Sequence, residues 1–168
     1  MKANPFYHLG ANHTVDIVII NPMNEVLMIK RSSTSDACPS MLALPGGFIN
    51  TEASKGEEWK GGLEKPEDAA LRELAEETNL TLPSTIKLTP VGIYEGNHRD
   101  PRDNQISWSK SHAFLYPMDQ KLYDLQKDHI RGMDDADVAR WIKITELEKI
   151  ELAFDHNKIL SDALKLLK

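Results

Sequence analysis

The run Arg72-Glu73-Leu74-Ala75-Glu76-Glu77-Thr78-Asn79-Leu80 gathers the side chains of this protein best suited to do chemistry. On a helix, Glu73, Glu76 and Glu77 stand at i, i+3 and i+4, so at about 100° per residue their carboxylates share an arc of roughly 100°. Ala70, Leu71, Leu74 and Thr78 lie around the other side, and one helix can bury that face while presenting acids on the next. Like charges at this spacing repel, and Arg72, four residues before Glu76, is the near cation. Carboxylate oxygens suit a hard divalent ion such as Mg²⁺ or Mn²⁺, which completes its shell with waters and a substrate's phosphates. Taken alone, Glu-x-x-Glu-Glu also describes a solvated helix face. The surrounding residues decide between these readings.

The elements that must position those acids can be read outward from them. Pro66 suits a first helical position, Glu67 and Asp68 complement the positive end, and the helix is expected to reach about Thr78, with Asn79 as a left-handed cap. Upstream, Thr14 to Asn21 and Glu25 to Arg31 read as a hairpin around Asn21-Pro22-Met23-Asn24, and Met41 to Leu44 as a short strand. Pro45-Gly46-Gly47 forces a sharp turn whose bare backbone permits close approach of a ligand. Asn50 to Gly62 reads as a surface loop or insertion. Downstream, Leu88 to Glu95 and Trp108 to Tyr116 read as strands around a polar loop, Gly96 to Ser107, expected to face ligand or water. Gly132 to Asp137 is acidic, Val138 to Lys143 reads as a strand, and Thr145 with Glu148 gives a capping-box signal for a short helix. A terminal helix is expected from about His156, with Ile159, Leu160, Ala163, Leu164 and Leu167 as its apolar stripe. Periodicity alone gives an α/β or α+β class.

Composition narrows the function. The 168 residues, 40% hydrophobic and 27% charged, predict one soluble domain over 1–168. Twenty Lys+Arg against 26 Asp+Glu give a net charge of −6, which argues against nucleic acid or a membrane surface as partner. A single cysteine, Cys38, excludes an internal disulfide and has no paired histidine nearby in sequence, so neither an oxidising compartment nor a catalytic thiol is expected. Met1 to Gly10 lacks the pattern of a leader peptide, and the most apolar run, Val15 to Ile20, is interrupted by Asp16 and is far short of the roughly 20 residues that cross a bilayer. These features make cytoplasm the expected location. His13, His98, His112, His129 and His156 lack metal-ligand spacing and read as polar or capping residues, while Trp108 and Trp141 read as core.

With Pro45-Gly46-Gly47 and Glu64 upstream, the set Arg72, Glu73, Leu74, Glu76, Glu77 and Leu80 resembles the signature of the Nudix hydrolase family. Asn79 stands where that signature has its last glycine, and the first glycine is displaced, as an insertion between Gly47 and Glu64 would cause. Asn12-His13, Leu44-Pro45-Gly46-Gly47-Phe48, Asp100-Pro101-Arg102 and Gly132-Met133-Asp134-Asp135-Ala136 followed by Trp141 resemble the ADP-ribose pyrophosphatase branch, with a weaker match at Leu152-Ala153-Phe154-Asp155-His156. The resemblance implies an α/β/α sandwich with a mixed sheet and, as activity, Mg²⁺-dependent hydrolysis of ADP-ribose to AMP and ribose 5-phosphate, with Mn²⁺ as a substitute. By the same resemblance Glu73, Glu76, Glu77, the Gly47 carbonyl and Glu64 would serve the metals, and Arg72 would orient the glutamates. Asp134 and Asp135 would supply the general base, with Glu64 as runner-up. Phe48 would line the nucleoside pocket, and Arg99, Asp100 and Arg102 would meet phosphates or ribose. The alternatives are pyrophosphohydrolysis of another nucleoside diphosphate derivative or a (d)NTP, and a non-catalytic ADP-ribose-binding module. A small-molecule nucleotide is the expected partner, a homodimer is allowed, and the 51–62 insertion is expected to lid or flank the site.

Overall fold

In the computed structural model, which describes residues 8–168, the axis of the fold is a parallel strand pair. Residues 1–7, part of the segment read for a leader, lie outside the described residues. β1 (Gly10–Ile20) runs alongside β6 (Ser107–Pro117), from Gly10 opposite Ser107 to Ile20 opposite Pro117. A parallel pair demands a long crossover. Here it contains β2 (Glu25–Arg31), β3 (Leu42–Ala43), β4 (Gly46–Phe48), α1 (Pro66–Thr78) and β5 (Thr89–Glu95). After β6 come α2 (Gln120–Gln126), a 3-10 turn over Lys127–His129, β7 (Ala136–Lys143), α3 (Ile144–Leu147) and α4 (His156–Lys165). The strands make one mixed sheet of seven: β4 lies antiparallel on β1, β5 on β6, and β7 on β2.

Strand alternation divides the core between the two faces of the sheet. Val15, Ile17 and Ile19 pack towards Ala69, Ala70 and Leu74 of α1, whereas Val18 and Ile20 pack towards Ile159, Leu160 and Ala163 of α4. The result is the expected α/β/α sandwich. α1 ends as the sequence requires: Asn79 takes φ 60° and its N–H donates to the Ala75 carbonyl at 3.0 Å.

α2, a segment for which the sequence suggested no element, is capped by the Asp119 side chain, which accepts from Leu122 N, and rests Leu122 and Tyr123 partly against the core. Three local expectations are corrected. The capping box does not form, since α3 begins at Ile144 with Lys143 at its N-cap and no side-chain cap bond, leaving Thr145 inside the helix. α4 ends at Lys165, and Leu167 leaves the stripe, 46% exposed. Trp108 is not core: it is the second residue of β6, only partly buried, and its indole N–H reaches Glu95 at 3.3 Å, whereas Trp141 does pack on the α1 side. The 51–62 segment is closed at its base by a bridge between Thr51 and Gly62, and Trp59 lies 4.9 Å from the His13 ring.

Leu74 is fully buried where α1 meets the sheet. Leu74→Ala is expected to lower stability by about 2–5 kcal/mol, read from the urea unfolding midpoint.

Candidate active site

Arg72 holds the acidic face of α1 together. Its Nη1 donates to Glu73 at 2.9 Å and to Glu76 at 3.0 Å, while Nη2 reaches Glu64 at 2.6 Å and the Phe48 carbonyl at 2.9 Å. Nε donates to both Glu64 oxygens. A planar five-donor fork can serve so many acceptors at once, which an ammonium cannot. The bonds to Glu64 raise the Arg72 pKa, and Arg72 in turn lowers that of Glu64. Glu64 also accepts from Asn50 N at 3.0 Å. Its carboxylate is therefore turned to Arg72 and the base of the 51–62 segment and does not line the cleft.

The glycine turn meets this helix directly. Glu77, 5% exposed, accepts from Gly46 N at 3.0 Å. A Cβ on Gly47 would fall 2.5 Å from the Glu73 carboxyl carbon, and one on Gly46 would run into the Val15 carbonyl. Backbone approach thus requires glycine at position 46, whereas at position 47 it is the Glu73 side chain, as it stands, that leaves no room. Burial raises the Glu73 pKa to about 6 against the pull of Arg72, with Glu76 and Asp134 pushing it further up. Burial also raises Glu77 well above the ordinary carboxylate range, and the charge on Glu73 adds to this. Carboxylates crowded in a partly dry cleft make an oxygen donor set that fits a hard divalent cation. As the side chains stand, no three acidic or imidazole groups among the described residues converge on one point, because Arg72 draws Glu73 and Glu76 while Gly46 holds Glu77.

A cleft of about 290 Å³ opens over this face. Of the residues singled out in the sequence, Gly47, Phe48, Glu73, Glu76, Glu77, Arg99, Asp100, Arg102, Asp134 and Asp135 all line it; Arg72 and Glu64 stand behind. Asp134 and Asp135 are exposed on a loop stapled to the end of α1, Met133 N donating to the Glu77 carbonyl at 3.0 Å and Arg131 N to that of Thr78 at 3.1 Å. Arg102 forms a two-point pair with Asp100, at 2.9 and 2.7 Å. Arg99 is buried and grips Asp155 at 2.7 and 3.0 Å, Ser109 at 2.9 Å and Asp16 at 3.4 Å. The two arginines expected to meet phosphate thus reach the cleft with carboxylates already beside them.

Sequence reasoning missed the floor of the cleft. Asp16 lies there, bonded by Ser111 Oγ, Arg99 and His156 Nε2 at 3.0 Å. Leu44 N donates to His156 Nδ1 at 2.9 Å, so that nitrogen carries no proton and Nε2–H is the donor to Asp16. Burial pushes the Asp16 pKa up, but His156, Arg99 and Ser111 outweigh it and hold it at about 2. The available signal was a charge inside the most apolar run of the chain. Thr14, Arg31 and Phe154 also line the cleft and were not singled out.

An α/β/α sandwich in which a carboxylate helix meets a glycine turn beside an open cleft is the class that fold and site define. The chain belongs to the Nudix family: the NUDIX domain matches residues 11–163. It is 33% identical over 147 residues to an ADP-ribose pyrophosphatase of Methanocaldococcus jannaschii, covering 88% of this chain and 70% of that protein. It is 28% identical over 153 residues to the ADPR responsive transcriptional repressor NtrR of Acinetobacter baylyi, covering 89% of this chain but only 52% of the repressor. Among solved structures, the NUDIX domain of Shewanella oneidensis NrtR complexed with ADP ribose superposes with a TM-score of 0.72 at 23% identity, covering 95% of this chain and 90% of that one, a likeness of fold. No helix among the described residues is long and apolar enough to cross a membrane.

Two measurements test this geometry. Gly47→Ala is expected to fold with little change in Tm, since the colliding Glu73 side chain can swing away, yet to weaken Mn²⁺ binding by calorimetry at least about 10-fold. Asp16 has a folded pKa of about 2, below the roughly 3.9 of an unfolded aspartate, so its contribution is present above pH about 4 and lost as pH falls towards about 2. Asp16→Asn should therefore lose about 2 kcal/mol at pH 7 and show a shallower acid limb in circular dichroism.

Proposed function

We propose that the protein hydrolyses the pyrophosphate bond of ADP-ribose, releasing AMP and ribose 5-phosphate, with Mg²⁺ as the natural metal and Mn²⁺ as a substitute. The observation that carries the reading is the carboxylate set Glu73, Glu76 and Glu77 gathered beside the Gly46-Gly47 turn, in a chain 33% identical to an ADP-ribose pyrophosphatase. When bound, the divalent ion supplies positive charge against the phosphate oxygens and acidifies the attacking water.

The chain's own groups have the following roles. Glu73, Glu76 and Glu77 hold the ion with the Gly47 carbonyl, and their crowding, unfavourable without it, becomes ligand charge with it. Arg72 sets the direction of Glu73 and Glu76, and Glu64 fixes Arg72, so Glu64 serves as a positioning residue. Asp134 or Asp135, exposed on the loop stapled to α1, accepts the proton of the water that adds across the P–O–P bridge. Phe48, paired with Thr14 of β1 and lining the cleft, offers the apolar wall for the nucleoside. The location is cytoplasmic in this reading, in keeping with a single free cysteine.

A second reading, an ADP-ribose-binding regulatory module, draws on the repressor relative. The full carboxylate set favours catalysis, because binding alone has no need of it.

Chromatography after incubation with Mg²⁺ and ADP-ribose, NADH, sugar nucleotides or dNTPs separates the readings. AMP release from ADP-ribose is expected, and Glu77→Gln should reduce it more than about 100-fold, since even outer-shell changes at metal sites cost 10- to 100-fold. The same variant should keep or raise Tm in metal-free buffer, because glutamine retains the acceptor for Gly46 N–H without the disfavoured buried charge. Binding of ADP-ribose without hydrolysis in either metal would favour the regulatory module.

A further inference from the structure

No residue of the stretch Leu152-Ala153-Phe154-Asp155-His156 carries a step of the hydrolysis, yet Phe154 and His156 line the cleft. His156 is 2% exposed, and both of its ring nitrogens are engaged. Nδ1 accepts from Leu44 N at 2.9 Å, and Nε2 donates to Asp16 Oδ1 at 3.0 Å. Two features hold the imidazole there. Ala153 N donates to the Leu42 carbonyl at 2.8 Å, so the entry to α4 is tied twice to the segment that leaves β3. Between those ties Phe154 takes φ 54°, a left-handed conformation that is costly for a bulky residue and persists only where its surroundings impose it.

What His156 holds is the start of the glycine turn. Pro45 has no N–H, so between the end of β3 and Gly46 the Leu44 N–H is the one backbone donor that can fix the approach to the turn. Leu44 is buried, and an N–H left there without an acceptor would be costly. The second ring nitrogen acts beside the same turn. Asp16 Oδ1, the oxygen that His156 bonds, lies 2.7 Å from where a Cβ on Gly46 would stand. One imidazole therefore fixes both the donor at the entry to the turn and an oxygen that Gly46 abuts. From that seat Gly46 N donates to Glu77, and Gly47 lies against Glu73.

We propose that His156 is a positioning residue for the glycine turn: Asp16 takes the Nε2 proton, which leaves Nδ1 to hold the Leu44 N–H and so to set where the Gly46 and Gly47 peptides stand against Glu77 and Glu73. Its consequence for metal binding rests on the reading that these groups take a divalent ion; the hold on the turn does not. The competing role is structural alone, with His156 serving only to satisfy the buried Asp16 carboxylate. The two roles differ in the nitrogen that matters, Nδ1 for the turn and Nε2 for the carboxylate.

Two substitutions separate the nitrogens. His156→Asn offers an amide oxygen near the place of Nδ1 and loses the donor to Asp16, whereas His156→Gln keeps an amide N–H within reach of Asp16 and loses the acceptor for Leu44. In the metal-free full chain, hydrogen exchange read by NMR is expected to be at least about 10-fold faster at the Leu44 and Gly46 amides in His156→Gln, and close to the wild type in His156→Asn. Mn²⁺ binding by calorimetry should weaken about 10-fold or more in His156→Gln and little in His156→Asn, as for the loss of a group that orients metal ligands. A structural role alone predicts the reverse ranking, with exchange and metal affinity following Tm, and that result overturns the proposal. Wild-type exchange in His156→Gln overturns it too, as does faster exchange with an unchanged Mn²⁺ affinity. Should a variant fold poorly, the ¹⁵N-labelled wild type decides: a scalar coupling across the Leu44 N–H to Nδ1 bond supports the proposal, and its absence overturns it. If the wild type binds no Mn²⁺, the functional reading fails, and exchange at Leu44 and Gly46 alone decides for or against His156.

Discussion

Three carboxylates on one helix face push one another apart, and the Arg72 guanidinium lets them stay. Its fork spans Glu64, Glu73, Glu76 and the Phe48 carbonyl, joining α1 to β4 and to the base of the 51–62 segment through a single planar group. That junction sets how close the glycine turn can come to the helix. The approach of Gly47 to Glu73 leaves no room for a side chain, and the Gly46 N–H becomes available to Glu77. One cation therefore organises both walls of the cleft without itself lining it.

The face is not relaxed, and the rest of the fold compensates. Glu73 and Glu77 are held where burial disfavours their charge. Beneath them, Asp16 is as deeply buried as Glu77 and yet strongly favoured in its ionised form, because His156, Arg99 and Ser111 all donate to it. The contrast separates two uses of a buried acid. A fully bonded carboxylate anchors structure, here tying β1 to β6, to α4 and to the Gly96–Ser107 loop. An under-bonded one is poised for a cation, and proteins tolerate such local conflict where function requires it. Removing Arg99 would strand the Asp16 charge in the interior, which makes this floor resistant to change.

Much of the fold was legible because it rests on local rules. Alternation marked the strands, the 3.6-residue period and Pro66 marked α1, and Asn79 ended it by a backbone preference that holds in any context. The failures were equally local in cause. α2 fully buries none of its residues and so leaves little periodic trace, while Thr145 and Glu148 have cap spacing but Thr145 lies inside a helix that starts at Ile144 and Glu148 is its C-cap.

For the site, the sequence by itself determined that Glu73, Glu76 and Glu77 share a helix face with Arg72 within reach of Glu76, since the pitch of an α-helix requires it. It also determined that a glycine turn precedes them. Only the tertiary structure decided which groups face the cleft and which are already matched by a partner. Glu64 turned to Arg72, Arg99 was taken by Asp155 and Asp16, and Arg31, separated from Phe154 by most of the chain, came to rest on its ring. Such pairings depend on distances between residues far apart in sequence, set by how the sheet and its two helical layers pack, and no local pattern encodes them.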